Sequence, residues 1–407
     1  MQVEREFDVI VVGAGPLGAA TARHLTEAGA DVLVLGPDEP TRFDNHEGVW
    51  AGHYDQGRMG HVLEVPLVAS LLANRSIRRF PTLHEVTGID FARPTHSLAV
   101  MPEVITDPAQ AEWFDRDRLA GNAEDLGVRA QRLDAEGLRE HYPHLSFEPG
   151  HVGVVQPEAY IINPRELLRA LLTVATRGGA TLVRDEVTEI RDEPGGHRVT
   201  ARSGRSWHTR SVVVATGAAT NASGLLSRPL AMDTLGATVV LVEAPAPDTV
   251  DFPATMYLKI RDGHTLFGGV VMPPVRYPDG RWYFKCAGNS LLDHPLDTAD
   301  DIARWVRTGG SQKDIDEALA VLSDLLPGQE FGAAHTRPCL VSANHTGHPY
   351  IDRVGDNLVV AVDGDRGVMA ADEIGRLAAE LAATGRWSDS IPHDLVQARW
   401  ETPVGAV

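Results

Sequence analysis

The sequence predicts an α/β fold in which a dinucleotide-binding domain is interrupted by a second domain with a mixed sheet. Three observations carry this. A strand–turn–helix–strand unit with glycines at 13, 15 and 18 occupies the first 35 residues. A second helix–strand series starts at Asn163 and runs into Thr216-Gly217. A last apolar strand, Asn357–Val362, leads through Gly364-Asp-Arg-Gly367 into a long helix.

Each element follows from its residues. Asp8–Val12 reads as a strand whose Val9–Val12 is uninterruptedly apolar, as suits a parallel strand buried on both faces. Gly13-x-Gly15-x-x-Gly18 then opens an Ala/Leu-periodic helix that Gly29 ends, and Asp31–Leu35 reads as the second strand. In this context Gly13 permits the tight turn, Gly15 lets the backbone approach a pyrophosphate, and Gly18 lets helix and strand pack closely. Pro16 and Leu17 stand in the first helical turn, whose free N–H groups favour phosphate. The end of the second strand is expected to carry an acid for a ribose hydroxyl. Here Gly36 stands there, with Asp38 and Glu39 beyond it. Either one of those reaches back or the contact is lost.

Asn163 caps a helix with Pro164 in its first turn. Strands are expected near Thr181–Val183, Val187–Ile190, His197–Ala201 and Ser211–Ala215. Thr238–Val242, Thr255–Ile260, His264–Val271 and Trp282–Lys285 read as antiparallel strands, and Asp314–Leu326 as an amphipathic helix. The last helix covers about Val368 to Ala383. This assigns 1–80, 151–225 and 333–407 to the cofactor domain, and 81–150 and 226–332 to the second domain.

Composition narrows the function classes. With 37 Lys+Arg against 56 Asp+Glu among 407 residues, the chain carries a formal charge of −19. Such a chain is poorly suited to sequence-independent nucleic-acid binding and is repelled by anionic membranes. Two cysteines, Cys286 and Cys339, make no disulfide framework. No run approaches the ~18 apolar residues of a membrane span, and a cytoplasmic location is expected. His345 and His348 lack further partners for a metal, so none is expected.

Together with the fingerprint, Asn163-Pro-Arg-Glu-Leu, Asp185-Glu-Val-Thr-Glu-Ile, Val213-Val-Ala-Thr-Gly217 and the segment from Arg337-Pro-Cys-Leu to Gly347-His-Pro-Tyr-Ile-Asp352 give a specific pattern. On these motifs the chain resembles the D-amino-acid oxidase/glycine oxidase/sarcosine oxidase family, most of all the monomeric sarcosine oxidase type. The resemblance implies an FAD-binding Rossmann-like (βαβ) domain with an interleaved mixed-sheet substrate domain. It implies oxidation of an amine or modified amino acid, by hydride transfer from the carbon next to nitrogen to flavin N5. Reoxidation by O2 would then give H2O2. Beyond the glycine turn, it places His46, Val187, Thr216 and Gly217 at the cofactor, with Gly364, Arg366, Gly367, Val368 and Met369 before and within the last helix. His53, Phe267 and Asn289 fall at the substrate positions.

Cys339 occupies the place where sarcosine oxidase-like members attach FAD through a thioether, and Arg337 is the neighbouring cation expected to favour its thiolate. Lys285 matches the lysine held over the flavin, where a fixed ammonium assists oxygen electrostatically. The substrate anchors depart from the pattern. Met369 stands for a lysine, Asn289 for a histidine and Phe267 for a tyrosine, and the basic residues of the early loop are replaced within Glu47–His53. A carboxylate buried without a partner is unfavourable. The expected substrate is therefore a larger or less charged amine, with Arg366 as a different anchor. The same departures also fit a dehydrogenase of amines or hydroxy acids with another electron acceptor, or a flavin-binding protein without turnover.

Overall fold

The computed structural model describes residues 5–40, 48–111, 113–245, 252–288, 295–364 and 366–402. Two sheets organise them. The first runs Tyr350–Gly355, Leu358–Val362, Ser206–Val214, Glu6–Val12, Val32–Leu35, Thr181–Val183. All its neighbours on this path are parallel except the first pair, which is antiparallel. A meander of Val187–Glu193 and Gly196–Ala201 pairs onto Ser206–Val214.

The apolar run at the start of the chain explains the layering. Val9 and Val11 pack toward helices Pro16–Glu27 and Gly367–Thr384, whereas Phe7, Ile10 and Val12 pack toward Val187, Val199 and Leu230 on the opposite face. Both faces of the strand are covered, so a period-2 polar pattern is absent. Helix Pro164–Arg177 begins as expected, with the Asn163 side chain accepting hydrogen bonds from the Arg165 and Glu166 amides.

The second sheet runs Ala334–Asn344, Met232–Ala244, Trp282–Ala287, His264–Arg276, Ala254–Arg261, Ala92–Pro102, His151–Ile162, Arg58–Gly60, with Gln131–Leu133 also paired to His151–Ile162. One face is filled by Ala318, Val321, Leu322 and Leu325 of helix Gln312–Leu325, packed on Phe267, Phe284 and Cys286. The other face, with Ala237, Val239, Met272 and Cys339, lines a cavity that Val12 and Leu35 of the first sheet also line.

The sheets divide the chain differently from the sequence boundaries. His151–Ile162 and Ala334–Asn344 lie in 151–225 and 333–407, and Arg58–Gly60 in 1–80, yet all three belong to the second sheet. Alternation along a strand reports which face is buried, not which sheet supplies the neighbour. The long strand Ala92–Pro102 and helices Leu67–Ile77 and Arg116–Asp125 also carried no pattern clear enough to read.

The two long helices over the first sheet meet at Gly375. A Cβ there would sit 2.4 Å from Ala20 Cβ and 2.6 Å from the Thr21 amide. Helix propensity alone favours Gly→Ala by about 1 kcal/mol. Overpacking of about 1–3 kcal/mol outweighs it. Gly375→Ala is therefore expected to lower the thermal unfolding midpoint, and a raised midpoint would show that the helices part freely.

Candidate active site

The glycine turn has the geometry its sequence requires. Gly13 sits at φ +111°, and a Cβ on it would lie 2.3 Å from the Ala215 carbonyl oxygen. A Cβ on Gly18 would lie 1.9 Å from the Gly13 carbonyl oxygen. Gly15 faces open space bounded by His53, with Nδ1 3.7 Å from where its Cβ would be. As the residue before helix Pro16–Glu27, Gly15 offers no side-chain cap, so the first-turn N–H groups are left for a ligand. Pro16, Leu17, Val187, Thr216, Gly217, Gly364, Arg366, Gly367, Val368 and Met369 line the same cavity of about 950 Å³. Of the expected cofactor residues, Gly18 packs behind the turn instead of lining it. His46 and Asn289 lie outside the described residues.

The missing acid at the second strand has a steric cause. A Cβ on Gly36 would fall 2.4 Å from the Ala14 amide. Neither acid beyond it reaches back. Asp38 pairs with Arg184 at 2.9 Å, and Glu39 takes two hydrogen bonds from Arg165, at 2.5 and 2.7 Å.

His53 was expected at the substrate, but its ring lies against the glycine turn and packs edge-on to Tyr54 at 4.7 Å. It is only 8% exposed, and its Nδ1 has no hydrogen-bond partner among the described residues. Burial, reinforced by Arg165, Arg58 and Arg184, pushes its pKa down to about 3, so the ring is neutral. An orphaned ring nitrogen beside an uncapped helix start fits an anionic pyrophosphate. The turn, the cavity and this nitrogen together fit a dinucleotide.

The floor of the cavity holds a buried charge cluster. Lys285 Nζ donates to Asp55 Oδ2 at 2.6 Å, and to the Gln56 and Gly57 carbonyls at 3.1 and 2.7 Å. Arg58 donates to the same Asp55 oxygen and, at 2.7 Å, to the Gly52 carbonyl. The Tyr277 hydroxyl donates to Asp55 Oδ1 at 2.9 Å. Burial alone would raise the Asp55 carboxyl, but Lys285 and Arg58 outweigh it and hold the pKa well below the usual range. Two cations share one carboxylate, so one positive charge is in surplus. A guanidinium keeps its proton, and the surplus falls on Lys285. Burial and then Arg58 push its pKa down to about 8 against the pull of Asp55.

Cys339 stands on Ala334–Asn344, separated from the Lys285 strand by Met232–Ala244. Arg58 Nη2 lies 3.4 Å from its Sγ. Burial pushes the thiol pKa up, and Arg58 offsets this only in part. The expected cation, Arg337, instead lies over the Tyr277 ring at 5.7 Å. A basic residue thus stands at Arg58, five positions past Glu47–His53.

Phe267 is a second correction. It is buried at 1% exposure in the core on the helical face, away from the cavity, whereas Leu266 and Gly268 line it. Alternation along the strand decides this, since adjacent residues point to opposite faces.

At the last helix, Arg366 Nε donates to Glu64 Oε2 at 2.5 Å, and its guanidinium stacks over Trp113 at 4.6 Å. His61 adds to the same group, with Nε2 3.4 Å from Glu64 and Nδ1 3.0 Å from the Ser97 hydroxyl. Burial would raise the Glu64 carboxyl, but Arg366 and then His61 hold it down at about 2. Asp55, Arg58, Glu64 and Trp113 carry no sequence motif, and only their spacing in the folded chain reveals them.

Comparison with known proteins gives the family. The family model for FAD dependent oxidoreductases matches residues 8–381. The chain is 28% identical over 181 residues to a monomeric sarcosine oxidase of Streptomyces avermitilis, covering 44% of each chain. It is 24% identical over 217 residues to an N-methyl-L-tryptophan oxidase of Escherichia coli, covering 52% of this chain and 54% of that one. These matches span about half the length of the curated relatives. Among solved structures, the fold is similar to NikD, an unusual amino acid oxidase essential for nikkomycin biosynthesis, with a TM-score of 0.77 at 22% identity over 98% of both chains. A glycine oxidase from Bacillus cereus superposes with a TM-score of 0.68 at 19% identity, over 98% of this chain and 99% of that one. The chain belongs to the FAD dependent oxidoreductase family.

The orphaned nitrogen of His53 gives a direct test of the cofactor cradle. A hydrogen bond to a charged group contributes about 1.5–3 kcal/mol. In a Cys339→Ala background, His53→Phe is expected to weaken FAD binding by roughly tenfold or more. Flavin fluorescence released on dilution measures this, and unchanged retention would remove His53 from the cradle.

Proposed function

We propose that this member of the FAD dependent oxidoreductase family is an oxidase of an amine or modified amino acid. When bound, FAD supplies a two-electron acceptor that takes a hydride from the carbon next to nitrogen and passes the electrons to O2, giving H2O2. The observation that carries this reading is the buried Lys285–Asp55–Arg58 cluster on the floor of the cavity that begins at the glycine turn.

The chain's own groups have separable tasks. Three acceptors, Asp55 and the Gln56 and Gly57 carbonyls, fix the Lys285 ammonium in one direction. A fixed charge in a buried site stabilises the negative charge that O2 acquires with its first electron, without reorganising water. The start of helix Gly367–Thr384 lines the cavity and adds a partial positive charge from its free amides. Among the described residues lining the cavity none is assigned as a general base, so the amine reacts in its neutral form and positioning supplies much of the rate. Cys339 is the proposed covalent anchor for FAD, with Arg58, hydrogen-bonded to Sγ, stabilising the thiolate.

Lys285→Met is expected to slow flavin reoxidation by O2 by about 10²–10³-fold while leaving anaerobic reduction by the amine far less affected. The wild-type reoxidation rate should fall as pH rises through about 8, as Nζ loses its proton, and the Lys285→Met protein should lack that inflection. Stopped-flow absorbance measures both. An unchanged reoxidation rate in the variant would end the lysine assignment, and slow reoxidation of the wild type in air would favour a dehydrogenase with another acceptor. Acid precipitation tests the anchor: a yellow pellet is expected from wild type and a colourless one from Cys339→Ala.

A further inference from the structure

We propose that Glu64 sets the substrate class: it engages Arg366 in a buried ion pair, so the cavity selects amines whose reacting carbon bears an apolar or aromatic group and no free carboxylate. The inference rests on the oxidase reading for the identity of the reacting carbon.

The argument starts from the cations. Those lining the cavity among the described residues are Arg58, Arg202, Lys285, Lys313 and Arg366. Each is already paired, although Arg58 and Lys285 share one carboxylate and keep one positive charge in surplus. Asp55 serves Arg58 and Lys285, Glu186 serves Arg202, Glu317 serves Lys313, and Glu64 serves Arg366. Arg202 and Lys313 are largely exposed, and Arg58 and Lys285 are committed to the floor of the site. Arg366 is the remaining anchor for a substrate carboxylate.

Glu64 holds that position firmly. Its side chain is 9% exposed, and it stays ionised across the neutral range because Arg366 and His61 hold its pKa at about 2. Its backbone carbonyl accepts hydrogen bonds from Ser70 at 3.1 Å and Asn122 at 2.9 Å, which fixes the residue. An incoming carboxylate would have to compete with it for Arg366, and drawing the guanidinium away would leave Glu64 buried with only His61 beside it, which is unfavourable. Asp107, anchored by the Thr265 hydroxyl at 2.7 Å, adds another anion to the lining.

The rest of this lining is apolar. Trp113 carries Arg366 on its face, and Phe114, Met256 and Leu266 line the same cavity. Leu266 is 40% exposed, among the few large apolar side chains left so open. An aromatic or branched apolar group on the amine would cover it, which favours binding by the usual burial of apolar area.

The test compares two ligands that differ in charge and share a ring. Purified flavin-bearing protein is titrated with benzoate and with benzamide, following the flavin absorbance. Wild type is expected to bind benzamide at least ~10-fold more tightly than benzoate, a difference of about 1.4 kcal/mol. In Glu64→Gln, Arg366 loses the Glu64 carboxylate, and benzoate should gain at least ~10-fold while benzamide changes little. In the double variant Glu64→Gln/Arg366→Gln, which removes both charges, that gain should disappear. Benzoate binding to wild type as tightly as benzamide would overturn the proposal. So would an unchanged benzoate affinity in Glu64→Gln, or a gain that persists in the double variant. If Glu64→Gln fails to fold, the wild-type comparison still decides. Protein purified without flavin would overturn the oxidase reading and this inference with it, whereas flavin-bearing protein that fails the comparison overturns the Glu64 assignment alone.

Discussion

One carboxylate between two cations organises the site. Asp55 comes from a short loop segment, Lys285 from the middle of the second sheet, and Arg58 from that sheet's edge strand. None of the three tolerates burial alone, since an unpaired buried charge is disfavoured by several kcal/mol. Their mutual pairing therefore fixes where the loop Gly52–Gly57 crosses the sheet. That loop also carries His53, whose ring then falls against the glycine turn of the first domain. The approach of this loop to the first sheet is thus guided by electrostatics as well as by apolar packing. The lone surplus charge is left on the one group able to release a proton.

The fold was largely legible because its signals are local. A glycine fingerprint between an apolar strand and an Ala-rich helix is read within about twenty residues, and Asn163-Pro164 marks a helix start by its own chemistry. The steric demands at Gly13 and Gly18 follow from the same short segment. Long strands of the second sheet were harder. Ala92–Pro102 and His151–Ile162 pair with each other across a long stretch of chain, and a pairing of that kind leaves no mark on either sequence by itself.

The site was legible only in part, for the same reason. Lys285 could be picked out because lysine is rarely buried in a strand, and Cys339 because the resemblance puts a flavin-anchoring cysteine at that place. Arg58 could not, because an arginine near a strand edge has many ordinary explanations. Its value comes from Asp55 and Cys339, which reach it through tertiary structure. Phe267 shows the complementary error. A resemblance gave the correct strand, but the side chain lies on the face opposite the cavity. Arg366 lines the cavity, and the Glu64 carboxylate beside it changes what it can do there.

Gly36 has a consequence for anyone wishing to redesign this protein's choice of cofactor. In many dinucleotide sites, preference between ribose and phosphorylated ribose is altered by exchanging one residue at the end of the second strand. Here that route is closed, because even a methyl group at position 36 would collide with the backbone at Ala14. Changing Gly36 would alter the shape of the turn before it altered any ribose contact. Redesign would have to begin at the neighbouring wall, where Glu186 and Arg202 already form a pair at 2.7 Å on the rim of the cavity.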